Sequence, residues 1–466
     1  MTDDTEDTTT GLDWKGILNP KWDEDRMLGV QERPNYGLNL AFEAPRDPPP
    51  WYVATRAWRD FCMAEKQQIP VGYTYFGQLI AHDIGNSVPL DHVPHSGRDK
   101  LRPLNGVPAV QSAQRYNLIE NPLVLETLYG AGPAMLPHLF DPDTFRFRIT
   151  PRRILSETLG KGDASVRALY DPRNRDTTML HRLAVIWMKF HNLVAEEYSA
   201  LMGGGTAVSA QSPGAVYAGA RAHVVNVWHH LIRSDFLPRF VDPGVVEIAR
   251  TQTLDLEETT LLHGVFRTFH ALPRSSYDFG TETQSLSNLL LKGLRDKERK
   301  TGGWALDWAK FFDDGAGGSK TGISASMSPD LLIDHQHVLD LDLGTATDTG
   351  PLRLYREEIQ TAVAKLPPAA QQQVDPKTMA RNAEAKLEVV VTPESIANGP
   401  LFFALMLEAQ LYGQGGRFGP LGSLLFQNMM ETRLRKVVNA PSPSEALSRP
   451  NSMMELITLI REKEYP

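Results

Sequence analysis

The feature that most limits how this chain can fold is a series of long segments whose apolar residues recur every three or four positions. They are "YTYFGQLIAHDI" (73–84), "TTMLHRLAVIWMKFHNLVAEEYSALM" (177–202), "AVYAGARAHVVNVWHHLIRSDFL" (215–237), "EETTLLHGVFRTFHAL" (257–272) and "LFFALMLEAQLY" (401–412). This spacing collects apolar side chains on one face of an α-helix, whereas a half-buried strand needs strict alternation. Strand patterns are scarce, and "LEVVVTP" (387–393), bounded by proline, is the best of them. The expected fold is mainly α with little β. Loops at 85–115, 139–175 and 312–350 are long and rich in Gly, Pro, Asp and Arg, and in a helical protein such loops are functional or drape over the core. No repeat or low-complexity linker marks a boundary. The expectation is one large helical domain over 51–466, preceded by an irregular arm over 1–50 that is rich in Asp, Pro and Gly.

Charge and composition narrow the partners. The 466 residues carry a net charge of −8 and no basic block able to neutralise several phosphates, which argues against nucleic acid. No apolar run approaches the roughly 20 residues that span a bilayer. Cys62 is the single cysteine, so neither an internal disulfide nor a thiolate cluster can form. The opening "MTDDTEDTTT" is acidic where a secretory signal would be basic and then apolar. The expected place is the cytoplasm.

Polar residues inside the apolar helices are the candidates for chemistry. In "FGQLIAHDIGN" (76–86), Gln78 and His82 are one turn apart on one face, while Asp83 is rotated by about 100°. Either this is the wet side of a half-exposed helix, or the histidine is aimed into a cavity. In "DPRNRD" (171–176), Arg173 and Arg175 precede a helix for which Asp176 or Thr177 is the N-cap. The helix dipole disfavours cations there, so they belong either to a solvated loop or to a polar or anionic site. His181 and His191 are ten apart, about 80° around the helix, and read as core histidines that share no metal. His263 and His270 are seven apart and nearly on one face. His270 sits among Phe266, Phe269, Ala271 and Leu272, a setting that suits either a core histidine or an axial ligand of haem. "DHQH" (334–337) reads as a surface loop, and the glycines of "YGQGGRFGPLG" (412–422) lack the preceding strand of a dinucleotide site.

Taken together, "FGQLIAHDI", "DPRNRD", "MKFHNLVAEEY", the "FR-x-x-H" formed by Phe266, Arg267 and His270, "WALDWAKFF" (304–312) and "GPLFFALMLEAQLYGQGGRFGPLGS" (399–423) resemble the animal-type haem peroxidases of the peroxidase–cyclooxygenase superfamily, in a bacterial branch without disulfides. The matches run in family order over roughly 73–425. The resemblance implies a haem peroxidase domain in which His82 is the distal histidine, Gln78 its neighbour, Arg173 the distal arginine and His270 the proximal iron ligand. It implies an enzyme that reduces hydrogen peroxide through a ferryl species and oxidises a small donor, with Arg267 paired to a haem propionate. Cyclooxygenases and related dioxygenases carry a radical tyrosine three positions before the proximal histidine. Arg267 stands there in this chain, which favours peroxidase over dioxygenase.

The chain also departs from the family pattern. Ala81 replaces an aspartate that forms an ester to haem, and Asp176 replaces a glutamate that forms the second. This implies haem b held mostly without covalent bonds, with one ester through Asp176 left open. Asp83 matches a calcium ligand, but Val124 stands where the loop "VLETLYG" (124–130) should supply an aspartate, leaving Glu126 as its companion. No asparagine occurs in "LDLGTATDTGPLRLY" (341–355) to accept a bond from the proximal histidine; Thr345, Thr347 or Asp348 are the substitutes. Two further readings stay open, a haem-dependent oxygenase and a haem-free binding protein on the same scaffold.

Overall fold

A computed structural model describes residues 68–89, 94–95, 99–100, 115–149, 170–175, 177–203, 212–274, 276–280, 282–289, 306–313, 320–324, 346–347, 350–388 and 390–463. The arm expected over 1–50, Asp176, the "DHQH" loop, Thr345 and Asp348 lie outside them. The seven helices that carry the argument are α1 (Gly72–Ile84), α2 (Glu126–Tyr129), α3 (Thr178–Gly203), α4 (Pro213–Leu231), α5 (Leu401–Tyr412), α6 (Pro420–Lys436) and α7 (Met453–Lys463). The expectation of a mainly α structure is borne out. The strands described are short and pair only in twos, such as Ile69–Pro70 against Lys320–Thr321 and Ser276–Asp278 against Thr283–Ser285, both antiparallel.

Local sequence explains where the helices start. Thr177 accepts the amide of Leu180 through its hydroxyl at 3.2 Å and so opens α3. Ser212 accepts the amide of Ala215, with Pro213 at the first helical position, and opens α4. Helix α4 then runs on through a π turn, Ile232–Phe236, into Leu237–Phe240. Helix α6 begins at Pro420 with its first amides held by a side chain from another helix: Glu408 of α5 accepts from Leu421 at 2.6 Å and Gly422 at 3.0 Å.

Packing follows from the apolar faces. Helix α3 lies along α4 and α1, and Phe76 of α1 sits among Trp187, Trp228 and Phe236 with ring centroids 5.3–6.4 Å away. Helix α5 is buried on nearly all sides, as its unbroken apolar sequence requires. Nearly all of the buried apolar residues described form one cluster from Ile69 to Ile460. No helix among the described residues is long and apolar enough to cross a membrane.

Two differences from the sequence expectations stand out. The segment expected as one helix over 257–272 is a π turn, Thr260–Val265, followed by a 3-10 turn, Phe266–Ala271. Such wide and tight turns occur where a helix is locally reshaped around a site. The segment expected as a strand, 387–393, has none among its described residues. Leu387 ends the helix Pro376–Leu387, and Glu388 follows in a left-handed conformation with φ 56°. Val390 and Val391 belong to no strand, and β-branched composition alone supplied no partner for them.

Candidate active site

Ten of the thirteen residues of α1 are buried. The three that are not, Gln78, Ala81 and His82, are spaced i, i+3 and i+4 and form one continuous strip. Helix α1 is therefore not the half-exposed helix with a wet side that the sequence allowed. Its polar strip is narrow, and Asp83, a hundred degrees further round, is completely buried.

His82 is held in one tautomer. Its Nδ1 lies 3.0 Å from Oδ1 of Asn174. The other end of that carboxamide, Nδ2, donates to the carbonyl of Thr127 at 3.4 Å, which fixes Oδ1 as the atom facing the imidazole. Nδ1 must then carry the proton and Nε2 the lone pair. Burial, and next the Arg173 guanidinium, push His82 down to about 4, against the opposing pull of the Asn174 bond and Asp171. At neutral pH it is a neutral base.

Arg173 explains how a cation sits just ahead of a helix N-terminus. Its Nε donates to Oδ1 of Asp171 at 3.0 Å and its Nη2 to Oδ2 at 2.6 Å. Nη2 also donates to the carbonyl of His82 at 3.0 Å, and Nη1 to that of Gly85 at 2.8 Å. The guanidinium thus caps the C-terminus of α1, where the helix dipole favours a cation, while standing before α3, where it does not. These contacts engage four of its five N–H bonds and leave one on Nη1.

The segment of the π and 3-10 turns, Thr260–Ala271, runs antiparallel to α1 and touches it. A Cβ on Gly77 would lie 3.0 Å from ring carbons of Phe236 and Phe269, and one on Gly85 would lie 2.4 Å from Leu262. Glycine at these positions permits the close approach. His270 follows Phe269 in the 3-10 turn; its side chain lies outside the described residues. Arg267 is half-buried, with Nη2 3.4 Å from Nδ1 of His263 one turn earlier.

The expected calcium pair is used otherwise. Oδ2 of Asp83 accepts the amide of Leu125 at 2.8 Å, and Oδ1 accepts that of Thr127 at 3.4 Å. Leu123 and Leu125 take φ values of 64° and 58°, so the loop turns its amides inward around the carboxylate. Oε2 of Glu126 accepts from the backbone and side-chain nitrogens of Asn121 at 2.7 and 3.2 Å. Val124 is an apolar residue at the position where the family pattern has an aspartate. N–H groups stand where a cation's charge would have to be, and among the described residues no group of three or more His, Cys, Asp and Glu is arranged for a metal ion. The residues present do not fit calcium.

Sequence reasoning singled out His82, Gln78, Arg173 and Asp83, and α1 brings all four together. It missed the parts played by Asp171 and Asn174. Both stood in the "DPRN" stretch as short polar side chains flanking the arginine, which was the available signal.

No family model matches the sequence, and no curated protein is detectably similar to it. Solved structures are. The fatty acid alpha-dioxygenase of Oryza sativa is 13% identical over 92% of this chain and 79% of that one, with a TM-score of 0.53. The fatty acid alpha-dioxygenase of Arabidopsis thaliana is 12% identical over 86% and 72%, with a TM-score of 0.50. Peroxidase A from Dictyostelium discoideum aligns at 12% identity over 81% and 83%, with a TM-score of 0.49. The plant enzymes are animal-type members of the peroxidase–cyclooxygenase superfamily, and this chain has their fold.

Proposed function

We propose that the chain is a haem-dependent peroxidase that reduces hydrogen peroxide and oxidises a small donor. The observation that carries this reading is His82, a neutral imidazole with a fixed tautomer, basic at Nε2, on the one open strip of a buried helix beside a guanidinium. The residues present fit a haem. Ala81 leaves only a methyl between Gln78 and His82, and Arg267 on the adjoining segment suits a propionate, for which a bidentate fork is the best partner. His270 would supply the axial imidazole.

Haem, when bound, would supply the redox chemistry that reduces peroxide, with His270 and Arg267 as the residues that would hold it. Nε2 of His82 takes the proton from the peroxide and returns it to the departing oxygen, acting first as base and then as acid. The remaining Nη1 hydrogen of Arg173 stabilises negative charge on that oxygen. Gln78, one turn before His82, donates its carboxamide hydrogens over the same strip. With Ala81 in place of a carboxylate, haem b is held mostly by non-covalent contacts, and Asp176 is the one residue at an ester position. The protein works in the cytoplasm on this reading.

A second reading, oxygenation of a fatty acid, is motivated by the fold shared with the plant dioxygenases. Arg267 at the position of the radical tyrosine speaks for the first. Purified protein should show a Soret band and a pyridine haemochrome, both lost in His270→Ala. His82→Ala should keep the haem and react with peroxide about 10²- to 10⁴-fold more slowly. Oxygen uptake with a fatty acid in the absence of peroxide would support the second reading. Colourless protein that also refuses added haemin would end both.

A further inference from the structure

Tyr129 and His191 form a buried pair that the proposed peroxide chemistry does not use. Tyr129, the last residue of α2, is 1% exposed, and His191 of α3 is fully buried. The Tyr129 hydroxyl lies 3.1 Å from Nδ1 of His191. Nε2 of His191 has no hydrogen-bond partner among the described residues. If the phenol donates, only the Nε2–H is left unpaired. If Nδ1 donated instead, both the phenolic hydrogen and the Nε2 lone pair would be stranded in the core, and each buried unpaired group costs about 1–3 kcal/mol. The phenol is therefore the donor, and Nδ1 is a base already in contact with its proton.

The surroundings keep that base neutral. Burial, and next the cations Arg221 and Arg146, hold His191 far down, to about 3. The imidazole is packed by the rings of Tyr129, Phe147 and Tyr217, with centroids 5.3–5.4 Å away. The pair is also tied to the distal strip. Thr127, two residues before Tyr129, accepts through its carbonyl from Asn174, whose other end binds His82.

We infer that Tyr129 is a redox-active residue that passes one oxidising equivalent from the peroxide-oxidised haem site, with His191 as the acceptor of its proton. The inference rests on the haem peroxidase reading. In the step, Tyr129 loses one electron to the oxidised haem, its O–H bond breaks, and the proton forms a new N–H bond at Nδ1 of His191. The products are a neutral phenoxyl radical, an imidazolium and a haem reduced by one electron. An electron from the donor reverses the change, and the proton returns to the phenol. Arg221, with its guanidinium carbon 5.1 Å from the Tyr129 ring centre, disfavours the imidazolium and so makes the radical a stronger oxidant.

Three other tyrosines are set differently at the hydroxyl. Tyr75 donates to the hydroxyl of Tyr277 at 2.6 Å, and a phenol is a poor base. The Tyr217 hydroxyl has no hydrogen-bond partner among the described residues. Tyr73 donates to Asp235, but that carboxylate already accepts from Arg239 and from the amide of Met453 and so has its lone pairs engaged by other donors.

The test is rapid-freeze EPR of haem-loaded protein mixed with hydrogen peroxide, with the optical spectrum followed in parallel. A tyrosyl signal should form in the wild type, persist in Tyr75→Phe and Tyr217→Phe, and fall at least tenfold in Tyr129→Phe while the optical reaction of the haem with peroxide is retained. Double-resonance spectra should show an exchangeable proton coupled to the radical, lost in His191→Leu and altered in His191→Gln. An unchanged tyrosyl signal in Tyr129→Phe, or a haem that reacts with no tyrosyl signal at all, overturns the inference and leaves the peroxidase reading standing. A haem spectrum unmoved by peroxide overturns the peroxidase reading and this inference with it.

Discussion

Asp83 offers the sharpest test of how α1 is held. Truncating it to alanine strips the acceptor from the amide of Leu125 and from the weaker contact of Thr127, both in a part of the structure that water does not reach. One well-formed bond and one long one, left unmade at buried donors, should destabilise the protein by about 2–4 kcal/mol. Unfolding entropy near 2.1 cal/mol/K per residue makes this a fall of about 2–4 °C in Tm for a chain of 466 residues. Asp83→Asn is a gentler change, since it keeps one oxygen for Leu125. The two variants also differ in their pH dependence. Burial raises Asp83 to about 7, against the opposing pull of the Leu125 and Thr127 amides. The folded state therefore binds more protons than the unfolded one between about pH 4 and 7, and stability falls as pH rises through that window. Asp83→Asn should remove this slope, and urea titrations at several pH values would measure it. Asp83 does not hold the loop if Asp83→Ala stays within about 0.5 kcal/mol of the wild type, a change typical of inert surface sites. The amide-holding role is equally refuted if a chelator lowers the Tm, calcium restores it, and Asp83→Ala abolishes the response, because Asp83 would then be a metal ligand.

Further outcomes follow at His82 and at Glu408. Because His82 is lowered to about 4, the rate of reaction of haem-loaded protein with peroxide should stay level from pH 7 to about 5 and fall as pH passes about 4; stopped-flow rates across pH would read it, and Asn174→Leu, which removes the acceptor for Nδ1, should slow the reaction at least about tenfold. Glu408→Ala should cost about 2 kcal/mol in urea unfolding by uncapping α6. Burial raises Glu408 to about 7, so its share of stability falls between about pH 4.5 and 7, and Glu408→Gln should flatten that part of the profile.

Much of this was legible in the chain because helical spacing is a local signal. The bounds of α5 match the sequence pattern at both ends, and Thr177 opens α3 as its hydroxyl predicts. The face shared by Gln78 and His82 follows from arithmetic on a helix turn. What the sequence could not show depends on atoms brought from far along the chain. Nothing near residue 82 announces that Asn174 will fix its tautomer, and nothing near residue 421 announces that Glu408 will cap α6. The π and 3-10 turns over 260–271 have the same apolar period as a regular helix, so only the backbone distinguishes them. The calcium expectation rested on Asp83 and Glu126 as carboxylates; whether a carboxylate meets a cation or amide hydrogens is set by the loop that wraps it, here through left-handed turns at Leu123 and Leu125.

Arg173 has two effects on α1, since one guanidinium both closes the helix end and lowers His82 by its charge. Arg173→Lys keeps the charge, but an ammonium is a point donor and cannot span Asp171 and two carbonyls in one plane. It should lower stability by about 1–3 kcal/mol while leaving a cation near His82. Arg173→Leu removes the cation that helps to hold His82 down, so the acid limb of the peroxide rate should move to higher pH. Asp171→Asn removes a charge that pulls His82 up, so the limb should move to lower pH. Opposite movements in these two variants are a signature that loss of the cap alone would not give, because both loosen the end of α1. If the limbs move together, or if neither moves, the guanidinium acts on His82 only by holding the helix end, and the charge-stabilising role assigned to it has no support.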